Sequence, residues 1–167
     1  MDELLSSEEK SHYLFLDDLL KYELENNIIT IDGVETGKIH KGKRFGTRIM
    51  FRLHQAMAFL VHFFTNVREQ PNAKMHTIVN EAYKDTISRN HGWLVRKTAT
   101  LAFHAIPSRN SLINRIRHEG ATESSIMDEL GEIIDVTKYV YMVVANTFDT
   151  HSNIAVKEPK TLKPDTS

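Results

Sequence analysis

Cysteine is absent from this chain. No disulfide and no thiolate zinc site is therefore possible, which is compatible with a reducing compartment. An excess of charge of one sign is also missing: 21 basic side chains face 22 acidic ones, for a net charge of −1. Nucleic-acid-binding domains usually carry a clear basic excess, so the balance argues against that class. Any preference for an anion must then come from local clustering. No run reaches about 18 uninterrupted apolar residues, so nothing reads as a membrane span and contact with lipid is expected to be peripheral. The opening stretch from Met1 to Glu9 is acidic and has no apolar core, so it does not read as a signal peptide.

Catalytic signatures are missing as well. There is no nucleophile elbow, P-loop or dinucleotide fingerprint. Nine histidines are present, but none falls into H-E-x-x-H or an i,i+4 pair, so no metal site is expected. No nucleophile stands beside a base. No catalytic residue and no cofactor is assigned, and the chain is not read as an enzyme.

What remains is globular. Across 167 residues, 41% are hydrophobic and 26% charged, which suits one folded domain. The apolar period is helical nearly throughout. Ser6 with Glu9 suits a capping box before a first helix expected from Glu8 to Asn26. That helix would bury Tyr13, Leu16, Leu20 and Leu24, with Leu19 beside them. Gly33, Gly37, Gly42 and Gly46 punctuate a loop, and Ile28, Ile29 and Ile31 read as its anchors.

Further helices are expected from Thr47 to Arg68, from Asn72 to Asn90, from His91 or Gly92 to Ile106, and from Ser108 to His118. Pro107 stops the fourth helix, and Gly120 follows the fifth. The last helix, Thr122 to Ser152, carries apolar Ile126, Leu130, Ile133, Val136, Val140, Val143 and Val144. The expected fold is all-α, with helices layered on helices over residues 8–155. Residues 156–167, with two prolines and three lysines from Lys157 onward, read as a disordered tail.

Two features suggest chemistry. Arg44, Arg48 and Arg52 recur every four residues, so they share one slowly drifting helix face. Like charges at that spacing cost a helix a few tenths of a kcal/mol unless an anion sits between them. The same face continues into Ala56, Phe59 and Phe63. A basic head passing into an apolar trough suits a phosphorylated lipid, because guanidinium groups fork onto phosphate oxygens. The plain alternative is a solvated basic edge above an ordinary core. The second feature is His91, ahead of Gly92 and Trp93 at a helix start. Such a histidine can bond an amide carbonyl or an anion, or simply pack locally. Trp93, the only tryptophan, is expected in the core with its indole N–H paired. The run Lys38 to Arg44, with Lys38, Lys41, Lys43 and Arg44, is basic enough to dock on an anionic membrane.

The runs Arg48-Ile-Met-Phe-Arg52-Leu-His54, Ala82-Tyr83, His91-Gly-Trp93-Leu-Val-Arg96, Ala102-Phe103, Ile106-Pro107-Ser-Arg109 and Leu130-Gly131-Glu132 occur in this order. Together with His12-Tyr13 and Thr150-His151-Ser152, they resemble the glycolipid transfer protein superfamily, most of all its ceramide 1-phosphate branch, over residues 11 to 155. The resemblance implies a two-layer helical sandwich that takes lipid chains between its layers and moves sphingolipids between membranes without chemistry. It implies Arg48 and Arg52 as phosphate ligands, in a family whose glycolipid carriers have tryptophan where Arg52 stands. It implies His91 as the ligand of the ceramide amide, and an apolar chain pocket that includes Phe59, Ile87 and Val95; Phe63 joins that pocket by its place on the same helix face as Phe59.

Family members normally begin with two further helices, the second bearing an aspartate and a lysine at D-x-x-x-K spacing. This chain reads as N-terminally shortened, lacking both. Asp17 and Lys21 have the spacing, but their flanks match the next helix, and they are not assigned the role. The function expected is transfer of a phosphorylated sphingolipid, in the cytoplasm with transient membrane contact. The rivals are a lipid-sensing module without transfer and a nucleic-acid-binding domain using Lys38 to Arg52.

Overall fold

Six α-helices form among the described residues, and no strand does. The computed structural model describes residues 11–28 and 46–152, the last two by backbone alone. The helices are α1 (Leu16–Glu25), α2 (Gly46–Glu69), α3 (Met75–Asp85), α4 (Trp93–Phe103), α5 (Arg109–Ile116) and α6 (Glu123–Ser152). A 3-10 turn, Ser88–Asn90, separates α3 from α4. Ser6, Glu9, Ile29, Ile31, the basic run Lys38 to Arg44 and the tail from residue 156 lie outside the described residues.

The ends of these helices have local causes. The helix expected from Glu8 is interrupted: Ser11 is helical, residues 12–15 turn, and α1 starts at Leu16 after Phe15, extended at its N-cap (φ −123, ψ 148). α3 is shorter than the expected helix at both ends. At its C-cap, Thr86 leaves helical geometry (φ −116, ψ −82) while its hydroxyl donates to the Ala82 carbonyl; such side-chain bonds compete with the helix ladder. Ser108 caps α5 by accepting from the Ser111 N–H at 3.3 Å. Thr122 and Ser125 cap α6 reciprocally: the Ser125 N–H donates to the Thr122 hydroxyl at 3.1 Å, and the Thr122 N–H to the Ser125 hydroxyl at 3.0 Å. Gly120, at φ +80, makes the turn between α5 and α6, where a side chain would be strained.

The chain divides into two compact units. Among the described residues, the first takes 11–28, 46–54 and 142–152. Its core is Leu20, Phe51 and Phe148, with Leu16, Leu24, Ile28, Met50 and Val144 packed around them. The rings of Phe51 and Phe148 meet edge to face at 5.7 Å, the arrangement the ring quadrupoles favour. Glu23 is fully buried among these apolar residues. Its two carboxylate oxygens accept the Gly46 N–H at 2.8 Å and the Thr47 N–H at 3.0 Å. A distant glutamate thus satisfies the open N–H groups that begin α2.

Among the described residues, the second unit takes 55–141. Val61, Val67, Ile78, Val79, Ala82, Ile113, Ile126 and Ile134 are buried there. Arg109 is a staple: its Nε donates to the Val67 carbonyl at 3.1 Å and its Nη1 pairs with Glu123. The end of α2 and the starts of α5 and α6 are held by that one side chain.

Packing divides the apolar residues of α6 and corrects one expectation. On α6 the buried hydrophobic side chains are Ile126, Leu130, Ile134, Tyr141 and Phe148, which lie within about 80° of one another at roughly 100° per residue. Ile133, Val136, Val140 and Val143, read from the sequence only as apolar, form the neighbouring stripe and are exposed, Val136 by 64%. The helix is apolar on two adjoining stripes, and periodicity does not choose between them. The corrected expectation is Trp93, read as a core residue, which is 63% exposed. The Lys97 ammonium, one turn along α4, sits 4.4 Å from the centre of its ring; a cation over the indole face takes the place of core packing.

Candidate functional site

Arg48 and Arg52 lie one turn apart on α2, in the first unit. Both are half-buried. The Arg52 guanidinium is held below its ordinary pKa first by burial and then by the positive charge of Arg48. The i,i+4 spacing read from the sequence thus sets two like charges side by side on α2.

Phe59 and Phe63 follow on the same helix, within the second unit. Both are half-buried, and their rings lie nearly parallel (6°) with centres 6.1 Å apart. Phe63 also meets Phe64 at 5.3 Å. Ala56, placed on the same face by its spacing, is exposed. Ile87 is half-buried at the start of the 3-10 turn, and Val95 on α4 is 50% exposed.

His91 ends the 3-10 turn, and α4 begins two residues later, with Gly92 as its N-cap. Its own N–H donates to the Ser88 carbonyl at 3.1 Å. Its Nδ1 is 2.8 Å from the hydroxyl of Tyr83, a buried residue on α3. Tyr83 was read from the sequence only as part of a family run and given no role. The signal available was its eight-residue separation from His91, which is no helical contact spacing. The intervening 3-10 turn creates the contact.

The structure thus brings Arg48 together with Arg52, Phe59 with Phe63, and His91 with Tyr83. The four basic residues Lys38, Lys41, Lys43 and Arg44 lie outside the described residues. Among the described residues, no helix is long and apolar enough to cross a membrane.

Comparison with known proteins decides the lineage. The family described as Glycolipid transfer protein (GLTP) matches residues 1–118 of this chain. The chain belongs to the glycolipid transfer protein family. Within that family, it is 31% identical over 154 residues to the ceramide-1-phosphate transfer protein of Mus musculus, an alignment covering 91% of this chain and 68% of the mouse protein. The crystal structure of the mouse protein in its apo-form superposes with a TM-score of 0.74 at 29% identity, covering 89% of this chain and 68% of that one. The human ceramide-1-phosphate transfer protein in complex with 12:0 ceramide-1-phosphate superposes with a TM-score of 0.68 at 22% identity, covering 86% and 66%. The all-helical fold expected from the sequence is the family fold.

Proposed function

We propose that this chain binds a phosphorylated sphingolipid of the ceramide 1-phosphate type and carries it between membranes without chemical change. The observation that carries this reading is the Arg48–Arg52 pair. These are two guanidinium groups one turn apart, one of them partly desolvated and destabilised by the other. A phosphomonoester brings about −1.5 to −2 charges at neutral pH, which matches two arginines. Bidentate contacts to a phosphate would offset the repulsion between the two guanidinium groups. A neutral sugar headgroup would do neither. The names of the mouse and human relatives support the same ligand class.

In this reading Arg48 and Arg52 hold the phosphate, and His91 bonds the ceramide amide. Phe59, Phe63, Ile87 and Val95 line the path of the hydrocarbon chains. Lys38, Lys41, Lys43 and Arg44 draw the protein to anionic membrane surfaces from the cytoplasm. Residues 8–155 form the lipid-carrying domain and residues 156–167 stay outside it. No step breaks or makes a covalent bond, so the chain acts as a carrier and not as an enzyme.

The test is transfer of a fluorescent ceramide 1-phosphate between phosphatidylcholine vesicles, beside a fluorescent glycosylceramide, for the parent chain and Arg52→Leu. The parent is expected to move the phosphorylated lipid in preference. Loss of a charge-assisted contact in the variant is expected to weaken its binding about tenfold or more. Equal handling of both lipids, or an unaffected Arg52→Leu, would remove the phosphate role. Selective binding without transfer would make the chain a lipid sensor.

A further inference from the structure

The hydrogen bond between Tyr83 and His91 does more than hold two side chains together. Tyr83 is 4% exposed. Its ring and that of Phe103 on α4 meet edge to face at 5.3 Å, and His91 lies against it at 5.6 Å. Burial raises the phenol above its ordinary pKa and outweighs the opposing charge of Arg96. The hydroxyl therefore keeps its proton at neutral pH. A buried hydroxyl hydrogen needs an acceptor, and leaving it without one is costly. Among the described residues, the partner of the Tyr83 hydroxyl is His91 Nδ1, at 2.8 Å.

That settles the direction of the bond. A neutral imidazole has one N–H donor and one bare acceptor nitrogen. If Nδ1 carried the hydrogen, the phenol oxygen would accept it and the buried phenol hydrogen would point at nothing. If Nδ1 is bare, it accepts from the phenol and every group is satisfied. The ring proton then sits on Nε2, the nitrogen that does not face Tyr83. The backbone around the pair is fixed too. The Ser88 hydroxyl donates to the Lys84 carbonyl at 2.9 Å, Arg89 Nε to the Thr86 carbonyl at 3.3 Å, and the His91 N–H to the Ser88 carbonyl.

We infer that Tyr83 is a positioning residue of the lipid site: its hydroxyl locks His91 in the tautomer and ring flip that offer Nε2–H to an uncharged acceptor, the carbonyl of a lipid amide. This rests on the reading of His91 as the amide ligand. It adds a specificity consequence. The histidine is set to recognise acylated sphingolipids, whereas the arginines respond to phosphate whether or not an amide is present.

The experiment has two readouts on the full chain. The first is side-chain nitrogen NMR of the ligand-free protein labelled with 15N-histidine, parent and Tyr83→Phe. In the parent, His91 is expected to show a bare Nδ1 and a protonated Nε2 at neutral pH. In Tyr83→Phe, which keeps the ring against Phe103, both nitrogens should move toward the averaged values of a free imidazole. A protonated Nδ1 in the neutral parent ring, or an unchanged spectrum in the variant, would overturn the inference.

The second readout is binding of two probes, ceramide 1-phosphate and a phosphorylated sphingoid base without the amide. Tyr83→Phe is expected to weaken the first by about two- to tenfold, as for one neutral hydrogen bond, and to leave the second unchanged. Equal loss of both probes would reduce Tyr83 to general packing and overturn the positioning role. His91→Ala separates the two layers of the argument. If it binds ceramide 1-phosphate as the parent does, the amide-ligand reading fails, and the tautomer result stands or falls on the NMR alone.

Discussion

Glu23 places a carboxylate where nothing of its sequence context announces one. It occupies a position one turn after Leu19 and Leu20, inside the apolar stripe of α1. It is tolerated there because both oxygens meet N–H donors at the start of α2. Hydrogen bonds to a charged acceptor are worth roughly 1.5–3 kcal/mol, and orphaned buried donors add to the loss. Glu23→Ala is therefore expected to destabilise the chain by about 2–4 kcal/mol in chemical denaturation. Glu23→Gln, which keeps one acceptor oxygen, should lose less. Unfolding of Glu23→Ala at the parent's denaturant midpoint would show that water replaces the cap.

His118 makes the other residue-level case. Its pKa is raised above 6.5, first by its side-chain hydrogen bond to Glu129 and then by its contact with the Glu119 carbonyl. A raised folded-state value means that the protonated form is favoured by folding. The contribution is fully present below 6.5, the unfolded reference, and is lost as the pH rises through the folded value. The ring lies in solvent, so the titration curve is a better readout than stability. Proton NMR is expected to place the His118 midpoint above 6.5, and Glu129→Gln should move it back down. A midpoint indifferent to Glu129→Gln would mean that the pair is not formed in solution.

Among the elements, α6 shows what a helix owes to its neighbours. Gly131 is buried on it, and a Cβ there would come within 3.1 Å of the Arg68 guanidinium. Arg68 is exposed and flexible, so it can move aside. Alanine gains about 1 kcal/mol of helix propensity over glycine in a helix interior. Gly131→Ala is therefore expected to range from neutral to about 1 kcal/mol stabilising, read from the thermal midpoint. A drop in that midpoint would mean that Arg68 is held against the glycine and cannot yield. α4 is the opposite kind of element. None of its residues is buried, and it is tied to α3 through Tyr83 and Phe103.

Taken as a whole, the molecule is nearly neutral, so its attraction to a membrane has to be local. Lys38, Lys41, Lys43 and Arg44 supply four positive charges within seven positions. Each is worth about 1 kcal/mol near an anionic surface. Replacing all four with neutral residues is expected to cut association with phosphatidylserine-containing vesicles in a sedimentation assay. The parent's own binding should weaken as salt rises, because the Debye length falls from about 10 Å at 0.1 M to about 3 Å at 1 M. Salt-independent binding by the parent would shift the attraction to exposed apolar residues such as Leu94 and Leu101.

The sequence by itself determined the helices from α2 onward within a few residues at each end, because a 3.6-residue apolar period and side-chain caps are local properties of the chain. It also determined the arginine pair, since i,i+4 spacing on a helix fixes neighbourhood without any tertiary contact. Tertiary structure decided what spacing leaves open. Of two adjoining apolar stripes on α6, packing buried the one through Ile134 and Tyr141 and left the one through Val136 and Val140 in water. Trp93, hydrophobic enough for a core, stands exposed because Lys97 covers its face and no element packs over it among the described residues. Glu23 became a helix cap for residues 23 and 24 positions away. Tyr83 met His91 because a 3-10 turn folded the chain back between them. Each of these depends on which surfaces meet, and a linear pattern carries periodicity but no partner.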